Sequence, residues 1–141
     1  MGRPFILTKK TKLKRSEAHR DDYTISTDKA KLDILSIHNF LANETDWANG
    51  IPIQTLKTCI DNSLNFGLYY KNEQIGFARI ISDFATIAYL GDVYILNEYR
   101  GKGLSKWLIQ EVMEHPNLQG LRRWILLTNT AEWLYTKFGF T

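Results

Sequence analysis

Residues 93–108 read VYILNEYRGKGLSKWL and decide the fold of the chain. An apolar strand over residues 93–96 runs into a turn with two glycines, and this turn leads directly into an amphipathic helix. Gly101 and Gly103 let the backbone approach an anion with no side chain in the way. The first N–H groups of the helix lack intrahelical partners, and the helix dipole adds partial positive charge there. The segment therefore predicts a phosphate-binding turn.

Charge and glycine spacing further characterise this turn. Arg100 and Lys102 add mobile positive charge at its rim. An ordinary strand-to-helix connection that uses glycine only for its geometry explains the same pair of glycines. Neither Gly-x-Gly-x-x-Gly nor Gly-Lys-Ser/Thr occurs at the required spacing, so the turn is not of the dinucleotide or Walker type.

Upstream of the turn the pattern predicts one strand and two helices. Alternating residues 23–27 favour a short first strand. The first helix begins after Asp28 and the second near Pro52, and residues 43–50 form the loop between them. The apolar positions at helical spacing are Leu32, Ile34, Leu35, Ile37 and Leu41 in the first helix, and Ile53, Leu56, Ile60 and Leu64 in the second.

The remaining elements complete a mixed sheet. Residues 66–70, 75–81 and 86–96 predict three antiparallel strands joined by short turns. A helix over 103–115, stopped by Pro116, leads to a nearly all-apolar strand at 123–128, as expected for a buried parallel strand. A last helix covers about 131–137. The fold class is α+β: an antiparallel meander plus a parallel strand–helix–strand crossover, with helices on both faces.

Composition limits the class of protein. The chain has 141 residues, enough for one domain, and no apolar run long enough for a membrane span or signal peptide. The cytoplasm is therefore the expected compartment, and no membrane partner is expected. Cys59 is the only cysteine, which excludes an internal disulfide, and no Cys/His cluster suggests a metal site. We predict no metal.

Charge is concentrated at the beginning of the chain. Seven basic residues and one acid, Glu17, give residues 1–20 a net charge of +6, against +3 for the whole chain. We predict a flexible basic leader over residues 1–22 and a single domain over 23–141. A nucleic-acid or acidic-partner arm is the alternative for the leader. It lacks aromatic interleaving and a recognised binding motif, so nucleic-acid binding is not predicted.

Two segments carry a family resemblance. Residues 93–108 resemble the cofactor motif of the GNAT superfamily of N-acetyltransferases, Arg/Gln-x-x-Gly-x-Gly/Ala. Arg100 and Gly103 match it, and Ser105 stands where Gly or Ala is usual. Residues 131–140 resemble the closing motif Ala-x-x-x-Tyr-x-Lys-x-Gly-Phe. With the order of elements, the resemblance covers about residues 23–141 and implies a GNAT-like domain.

The resemblance implies acetyl-CoA as co-substrate. The backbone of Val93, Tyr94 and Ile95 would pair with the pantetheine amides, and a main-chain N–H there would polarise the thioester carbonyl. The pyrophosphate would bind the turn backbone, namely Arg100, Gly101, Lys102, Gly103, Leu104 and Ser105. Tyr135 would protonate the departing thiolate, with a core aromatic as the alternative. The family's asparagine seven residues before that tyrosine is Thr128 here, with Asn129 one place off, and we assign it no role.

The base and the acceptor site are less marked. Asp92 and Tyr94 point to the opposite face of the strand from Val93 and Ile95, which makes Asp92 a candidate base, with a structural hydrogen bond as the alternative. His38 lies among apolar residues and fits a packing role. The resemblance implies that Glu44 and Trp47 line an acceptor pocket.

These observations predict an N-acetyltransferase that moves an acetyl group from acetyl-CoA directly to a primary amine on a small molecule or peptide. The alternative is a non-catalytic acyl-CoA-binding or interaction module with the same fold. The family usually continues into a last strand after Gly-Phe, whereas this sequence stops at Thr141. We therefore expect an open sheet edge, available to the leader or to a second copy in a homodimer.

Overall fold

The computed structural model describes residues 13–128 and 130–141, and its centre is a six-stranded sheet whose spatial order follows the chain. The first five strands are antiparallel neighbours, and the last pair is parallel. The strands are β1 Glu17–Arg20, β2 Tyr23–Ser26, β3 Leu64–Tyr70, β4 Glu73–Ser82, β5 Ile87–Ile95 and β6 Arg123–Leu126.

The described residues also form four α-helices, which pack around this sheet: α1 Ile34–Glu44, α2 Ile53–Asp61, α3 Leu104–Met113 and α4 Glu132–Tyr135. Short 3-10 turns cover Lys29–Lys31, Asn97–Tyr99, Pro116–Leu118 and Thr136–Phe138. Helix α3 connects β5 to β6, so the predicted strand–helix–strand crossover is present. The predicted α+β fold class is confirmed.

Two apolar cores lie on opposite faces of the sheet. On one face, α1 and α2 pack on Phe77 and Tyr94 through the buried residues Ile37, Phe40, Leu41, Leu56 and Ile60. On the other face, α3 packs through Leu104, Trp107, Leu108, Ile109 and Val112. Neighbouring residues on β4 take opposite sides, since Phe77 belongs to the first core and Ala78 to the second. Burial on both faces explains why β4 reads as an almost continuous apolar run.

Two predicted helix boundaries are wrong. The Asp28 side chain accepts from Ala30 N at 3.0 Å and caps only the short turn at Lys29–Lys31. Asp33 caps α1 instead, accepting from Ser36 N at 3.0 Å. Leu64, predicted in the second helix, is the first residue of β3. The helix ends early because Ser63 Oγ donates to the Cys59 carbonyl at 2.6 Å and the chain turns there.

The prediction of a flexible leader up to residue 22 is wrong for residues 17–20, which form β1 and pair with β2. Asp21 adopts a φ of 52° in the connecting turn, a conformation that Asp tolerates better than most residues. Glu17 binds Lys31 Nζ at 3.0 Å, and the Arg20 guanidinium lies 4.8 Å from the Trp107 ring centroid. Residues 1–12 lie outside the described residues.

A buried histidine holds the start of the described chain. His115 Nε2 donates to the Lys14 carbonyl at 3.0 Å, and Asn117 N donates to His115 Nδ1 at 3.1 Å. Lys14 N also donates to Asn117 Oδ1 at 2.8 Å. Because one ring nitrogen donates and the other accepts, the imidazole is neutral in this arrangement.

We expect His115 to make folding stability depend on pH. Burial lowers the pKa of His115 below its ordinary value, outweighing the opposite effect of the Lys14 carbonyl. The unfolded chain therefore takes up a proton first as the pH falls, and stability present above about pH 6.5 is lost towards the lower folded-state pKa. Urea unfolding of wild type and His115→Gln at pH 7.5 and 5.5 checks this. The wild type should lose more stability than the variant, and equal losses would contradict the expectation.

Candidate active site

Strands β5 and β6 diverge and open a fork. Their pairing covers only Ile87–Leu90 and Arg123–Leu126, whereas β5 continues to Ile95. From Gly91 to Ile95 this side of β5 has no neighbouring strand within residues 13–128 and 130–141. A free strand edge presents N–H and C=O groups to an extended ligand. The fork thus offers a binding edge between the last two strands of the sheet.

A β-bulge marks the place where the fork opens. Phe77 pairs with Tyr94 and Arg79 pairs with Gly91, so β5 contains one more residue than β4 over this interval. Asp92 lies in the bulge with a φ of 54°. Bulges bend a strand and increase its local twist. The bulge therefore contributes to the separation of β5 from β6.

Residues of the predicted cofactor strand face both cores. The Tyr94 ring stacks on Phe40 with centroids 3.9 Å apart, while Val93 and Ile95 contact the α3 core. The predicted opposite orientation of Tyr94 and its two neighbours is confirmed. Burial raises the pKa of the Tyr94 hydroxyl, which stays neutral. The Tyr94 side chain is therefore part of the core and is not available to a ligand.

The turn before α3 has the conformation that its glycines allow. Gly101 and Gly103 have φ values of 77° and 76°, in the left-handed region that favours glycine. A Cβ built on either would have no heavy atom within 4 Å, so the space above both is open. The first α3 hydrogen bond runs from Trp107 N to the Gly103 carbonyl at 3.2 Å. The N–H groups of Leu104, Ser105 and Lys106 precede it and are available to an anion.

The basic side chains at the turn are more fixed than the sequence indicates. Arg100 Nε donates to the Ile95 carbonyl at 2.9 Å, and Lys102 Nζ lies 5.9 Å from the Tyr99 ring centroid. The expectation of mobile charge is therefore wrong for Arg100, whose guanidinium is held at the end of β5. The buried Leu104 anchors the first turn of α3 in the core.

Tyr135 lies on α4, after the end of β6 at which the fork opens. The residue is 8% exposed, and its ring meets Phe140 edge-on with centroids 5.9 Å apart. Burial raises the pKa of the Tyr135 hydroxyl above its usual value near 10. The hydroxyl therefore keeps its proton throughout the neutral range. Core packing and a proton-donating role are compatible at this position.

Both carboxylate oxygens of Asp92 have partners. Oδ2 accepts from Arg79 Nε at 2.7 Å, and Oδ1 accepts from Trp47 Nε1 at 3.1 Å. Arg79 also donates through Nη1 to Ser63 Oγ at 3.1 Å. The Arg79 and Asp92 side chains are 14% and 11% exposed. The structure thus shows Asp92 in structural hydrogen bonds, which were the alternative to a role as base. The sequence feature that indicates such a partner is Arg79, a charged residue within an apolar strand, because a buried charge needs a partner.

A groove of about 580 Å³ lies between α1 and the residues that follow β5. Its lining residues are Ser36, Asn39, Phe40, Glu44, Leu96, Asn97, Glu98 and Arg100. Glu44, expected beside an acceptor, lines this groove. Trp47 is not among the lining residues and contacts Asp92 instead. His38 has the packing role expected of it, since its Nε2 bonds to the Ile51 carbonyl at 2.8 Å.

The remaining candidate positions are Thr128, Asn129 and Cys59. Thr128 Oγ1 accepts from Ala131 N at 3.0 Å, and Asn129 lies outside the described residues. Cys59 is a partly buried free thiol. Among the described residues, no group of three or more His, Cys, Asp or Glu side chains could hold a metal ion. No helix in the same part of the chain is long and apolar enough to cross a membrane.

Comparison with known proteins assigns the family. The model of the acetyltransferase (GNAT) domain matches residues 61–141. A Gibberella zeae protein named as an acetyltransferase is 36% identical over 140 residues, 84% of this chain and 78% of that protein. A solved Xanthomonas campestris pv. campestris structure, assigned to the GNAT family of acetyltransferases, is 50% identical with a TM-score of 0.84 and 87% of each chain covered.

A more distant structure, a GNAT family acetyltransferase from Elizabethkingia anophelis with acetyl-CoA bound, is 17% identical. Its TM-score is 0.64, with 86% of this chain and 78% of that chain covered, and it shows the fold alone. The chain belongs to the GNAT family and is an acetyltransferase. Members of this family generally use acetyl-CoA.

Proposed function

We propose that this chain transfers the acetyl group of acetyl-CoA directly to a primary amine. The observation that carries the proposal is the free edge of β5, which leads into a turn with two left-handed glycines at the N-terminus of α3. An extended arm with amide groups fits the edge, and a pyrophosphate fits the turn. The β5 edge is followed directly by the turn, just as the amide-containing arm of CoA is followed directly by its pyrophosphate.

The residues present fit the cofactor. The backbone along Val93, Tyr94 and Ile95 offers hydrogen bonds to the amides of the pantetheine arm, apart from the Ile95 carbonyl, which already accepts from Arg100 Nε. The open space above Gly101 and Gly103 admits a phosphate to the N–H groups of the first turn of α3. Arg100 and Lys102 add positive charge beside it, and Ser105 brings a small hydroxyl instead of the usual Gly or Ala.

The free edge of β5 and the hydroxyl of Tyr135 supply the catalytic contributions. Acetyl-CoA brings the thioester whose C–S bond breaks as the amine nitrogen forms the new C–N bond. A main-chain N–H on the free edge of β5 stabilises negative charge on the thioester oxygen. Tyr135, kept protonated by burial, donates its proton to the departing sulfur. The acceptor gives up its protons to bulk solvent, from which Tyr135 is reprotonated after each turnover, and no covalent enzyme intermediate is required.

The groove beside α1 is the proposed acceptor entrance. Its walls carry the carboxylates of Glu44 and Glu98 against the single guanidinium of Arg100. This excess of negative charge favours an ammonium-bearing acceptor over a neutral or anionic one. A volume of about 580 Å³ suits a small molecule or the end of a peptide. The predicted cytoplasmic location and the homodimer stay predictions.

Amine-dependent release of CoA tests this function. The panel contains an alkyl diamine, an amino sugar, a lysine-containing peptide and a peptide with a free N-terminus, each beside its N-acetylated form as control. We expect saturable CoA release with at least one free amine and none with its acetylated form. Direct transfer also predicts intersecting double-reciprocal plots, because both substrates must be bound together. Saturable acetyl-CoA binding without release for any amine would instead indicate a binding module.

A further inference from the structure

We propose that Arg79 is a positioning residue, which holds the β5 bulge through its ion pair with Asp92 and so keeps the free edge of β5 in the register that receives the arm of acetyl-CoA. The inference rests on the proposed function and concerns the cofactor side of the fork. It gives Asp92 the role of a fixed partner for Arg79 in place of that of a base.

The first argument is the effect of the bulge on the direction in which β5 faces. Leu90 faces the α3 core, as do Val93 and Ile95. Tyr94 faces the opposite core, beneath α1 and α2. In a regular strand, residues an odd number apart take opposite faces, so Leu90 and Val93 could not share one. The extra residue of the bulge makes this arrangement possible, and Asp92 adopts the unusual conformation that it requires.

Without the bulge, the free edge would be out of register. A shift of one residue exchanges the two faces of a strand. The side chains of residues 93–95 would then point to the wrong cores. The backbone groups that point into the fork would likewise be exchanged with those that point to β4. The bulge therefore decides which hydrogen bonds the arm of acetyl-CoA finds, including the main-chain N–H proposed for the thioester oxygen.

The second argument is the residue type at the bulge. Asp92 has a φ of 54°, in the left-handed region, and one common kind of bulge has glycine in this conformation. Aspartate tolerates the region better than most residues, but glycine adopts it at less cost. What aspartate has and glycine lacks is the carboxylate. The residue type therefore favours a role for this carboxylate that outweighs the easier backbone of glycine.

The third argument is how firmly the carboxylate is held. Arg79 lies on β4 opposite Gly91, and its Nε donates to Asp92 Oδ2 at 2.7 Å across the bulge. Arg79 Nη1 donates to Ser63 Oγ at 3.1 Å. Asp92 Oδ1 accepts from Trp47 Nε1 at 3.1 Å. Breaking this largely buried ion pair would leave two charges without partners, so the pair ties the bulge to β4.

The location of the ion pair separates its effect from that of the glycine turn. Asp92 lies two residues beyond Leu90, the last β5 residue that pairs with β6, whereas Gly101 and Gly103 follow the other end of the free edge. Loss of the bulge should therefore weaken the contacts of the arm and leave those of the pyrophosphate unchanged. The ligand 3′-phospho-ADP has the pyrophosphate of CoA without the arm, so its affinity reports on the turn alone.

Two double variants test the inference. The alanine variant combines Arg79→Met with Asp92→Ala, which removes both charges together so that neither is left buried without a partner. The glycine variant combines Arg79→Met with Asp92→Gly. It loses the same ion pair, but its residue at the bulge adopts a φ of 54° readily. The two variants therefore differ in how easily the bulge forms without the ion pair.

The expected result is a difference between these two variants in calorimetric titration and in steady-state kinetics. The alanine variant should bind acetyl-CoA about tenfold more weakly and lose a similar factor in kcat/KM, because the left-handed backbone is costly for alanine and the bulge becomes less populated. The glycine variant should stay within about threefold of the wild type in both quantities. Both should bind 3′-phospho-ADP like the wild type.

The matched control is His115→Gln, which disturbs a buried polar residue that follows α3 and packs on Phe66 of β3. Its acetyl-CoA affinity and kcat/KM should equal those of the wild type, even where its stability is reduced. All proteins are compared under conditions in which urea unfolding shows each of them to be folded. A change in affinity or kcat/KM is then a property of the folded state.

Equal acetyl-CoA affinities in the alanine and glycine variants would overturn the inference. If both bind like the wild type, the ion pair contributes stability only; if both bind equally weakly, the side chains act by contact and not through the bulge. Normal acetyl-CoA binding with kcat reduced about 100-fold or more in both variants would give the carboxylate a part in proton transfer and also contradict the inference. A wild type that binds acetyl-CoA but acetylates no amine would contradict the proposed function, while the difference in acetyl-CoA affinity would still support this inference.

Discussion

Tyr135→Phe is expected to lower turnover by about 10- to 1000-fold while leaving acetyl-CoA affinity nearly unchanged. The substitution removes only the hydroxyl and keeps the ring that packs against Phe140 in the α3 core. The thiol of CoA should have a pKa near that of free Cys, about 8.5, so its thiolate is an adequate leaving group even without protonation. Protonation by a phenol therefore assists the step without being indispensable.

The pH dependence of turnover tests separately whether the Tyr135 hydroxyl is the proton donor. Burial raises the pKa of the Tyr135 hydroxyl, so the proton-donating form persists to higher pH than for a free tyrosine. Wild-type turnover should hold up to about pH 10 and decline only above it, and Tyr135→Phe should lack this alkaline limb. Measuring kcat from pH 7 to 11 checks both points.

The matched control is Tyr89→Phe, which removes a hydroxyl from the part of β5 that pairs with β6. We expect this control to turn over like the wild type. If Tyr135→Phe also does so on a good acceptor, the hydroxyl is not the acid. Tyr135 would then be a core residue only.

The features that could be predicted from sequence are those with local causes. The turn at Gly101 and Gly103 is encoded by adjacent residues, because glycine placement and the apolar period of α3 both lie within 16 positions of sequence. The antiparallel meander follows from short connections, and the crossover follows from a helix between two strands. These features are present in the structure. The roles given to Tyr135 and to the turn residues stay predictions.

The features that could not be predicted depend on contacts between distant residues. Trp47 and Asp92 are separated by 45 positions and Lys14 and His115 by 101, and nothing local indicates either pair. Strand β1 was missed for another reason. Its sequence, EAHR, is polar because an edge strand need not be apolar, and its stability comes from pairing with β2.

Gly103→Val is expected to abolish measurable acetyl-CoA binding. Gly103 is the N-cap of α3, and the space where its Cβ would stand is the space proposed for the pyrophosphate. A valine there places a branched side chain between the ligand and the N–H groups of Leu104 and Ser105. The backbone at a φ of 76° also becomes strained, which lowers the free energy of unfolding by about 1–2 kcal/mol. A variant that loses only this stability would still bind acetyl-CoA in its folded state.

Gly120→Val separates these two effects. Gly120 has a φ of 72° and an equally open space above it, and it lies in the connection between α3 and β6, away from the turn. This control should suffer a similar loss of stability, measured by urea unfolding, and should bind acetyl-CoA like the wild type.

Calorimetric titration of wild type, Gly103→Val and Gly120→Val with acetyl-CoA tests most directly whether the turn at Arg100 to Ser105 holds the pyrophosphate. We expect equal affinities for the wild type and Gly120→Val, and no detectable binding for folded Gly103→Val. Binding of acetyl-CoA to Gly103→Val with wild-type affinity would contradict the assignment of this turn to the cofactor.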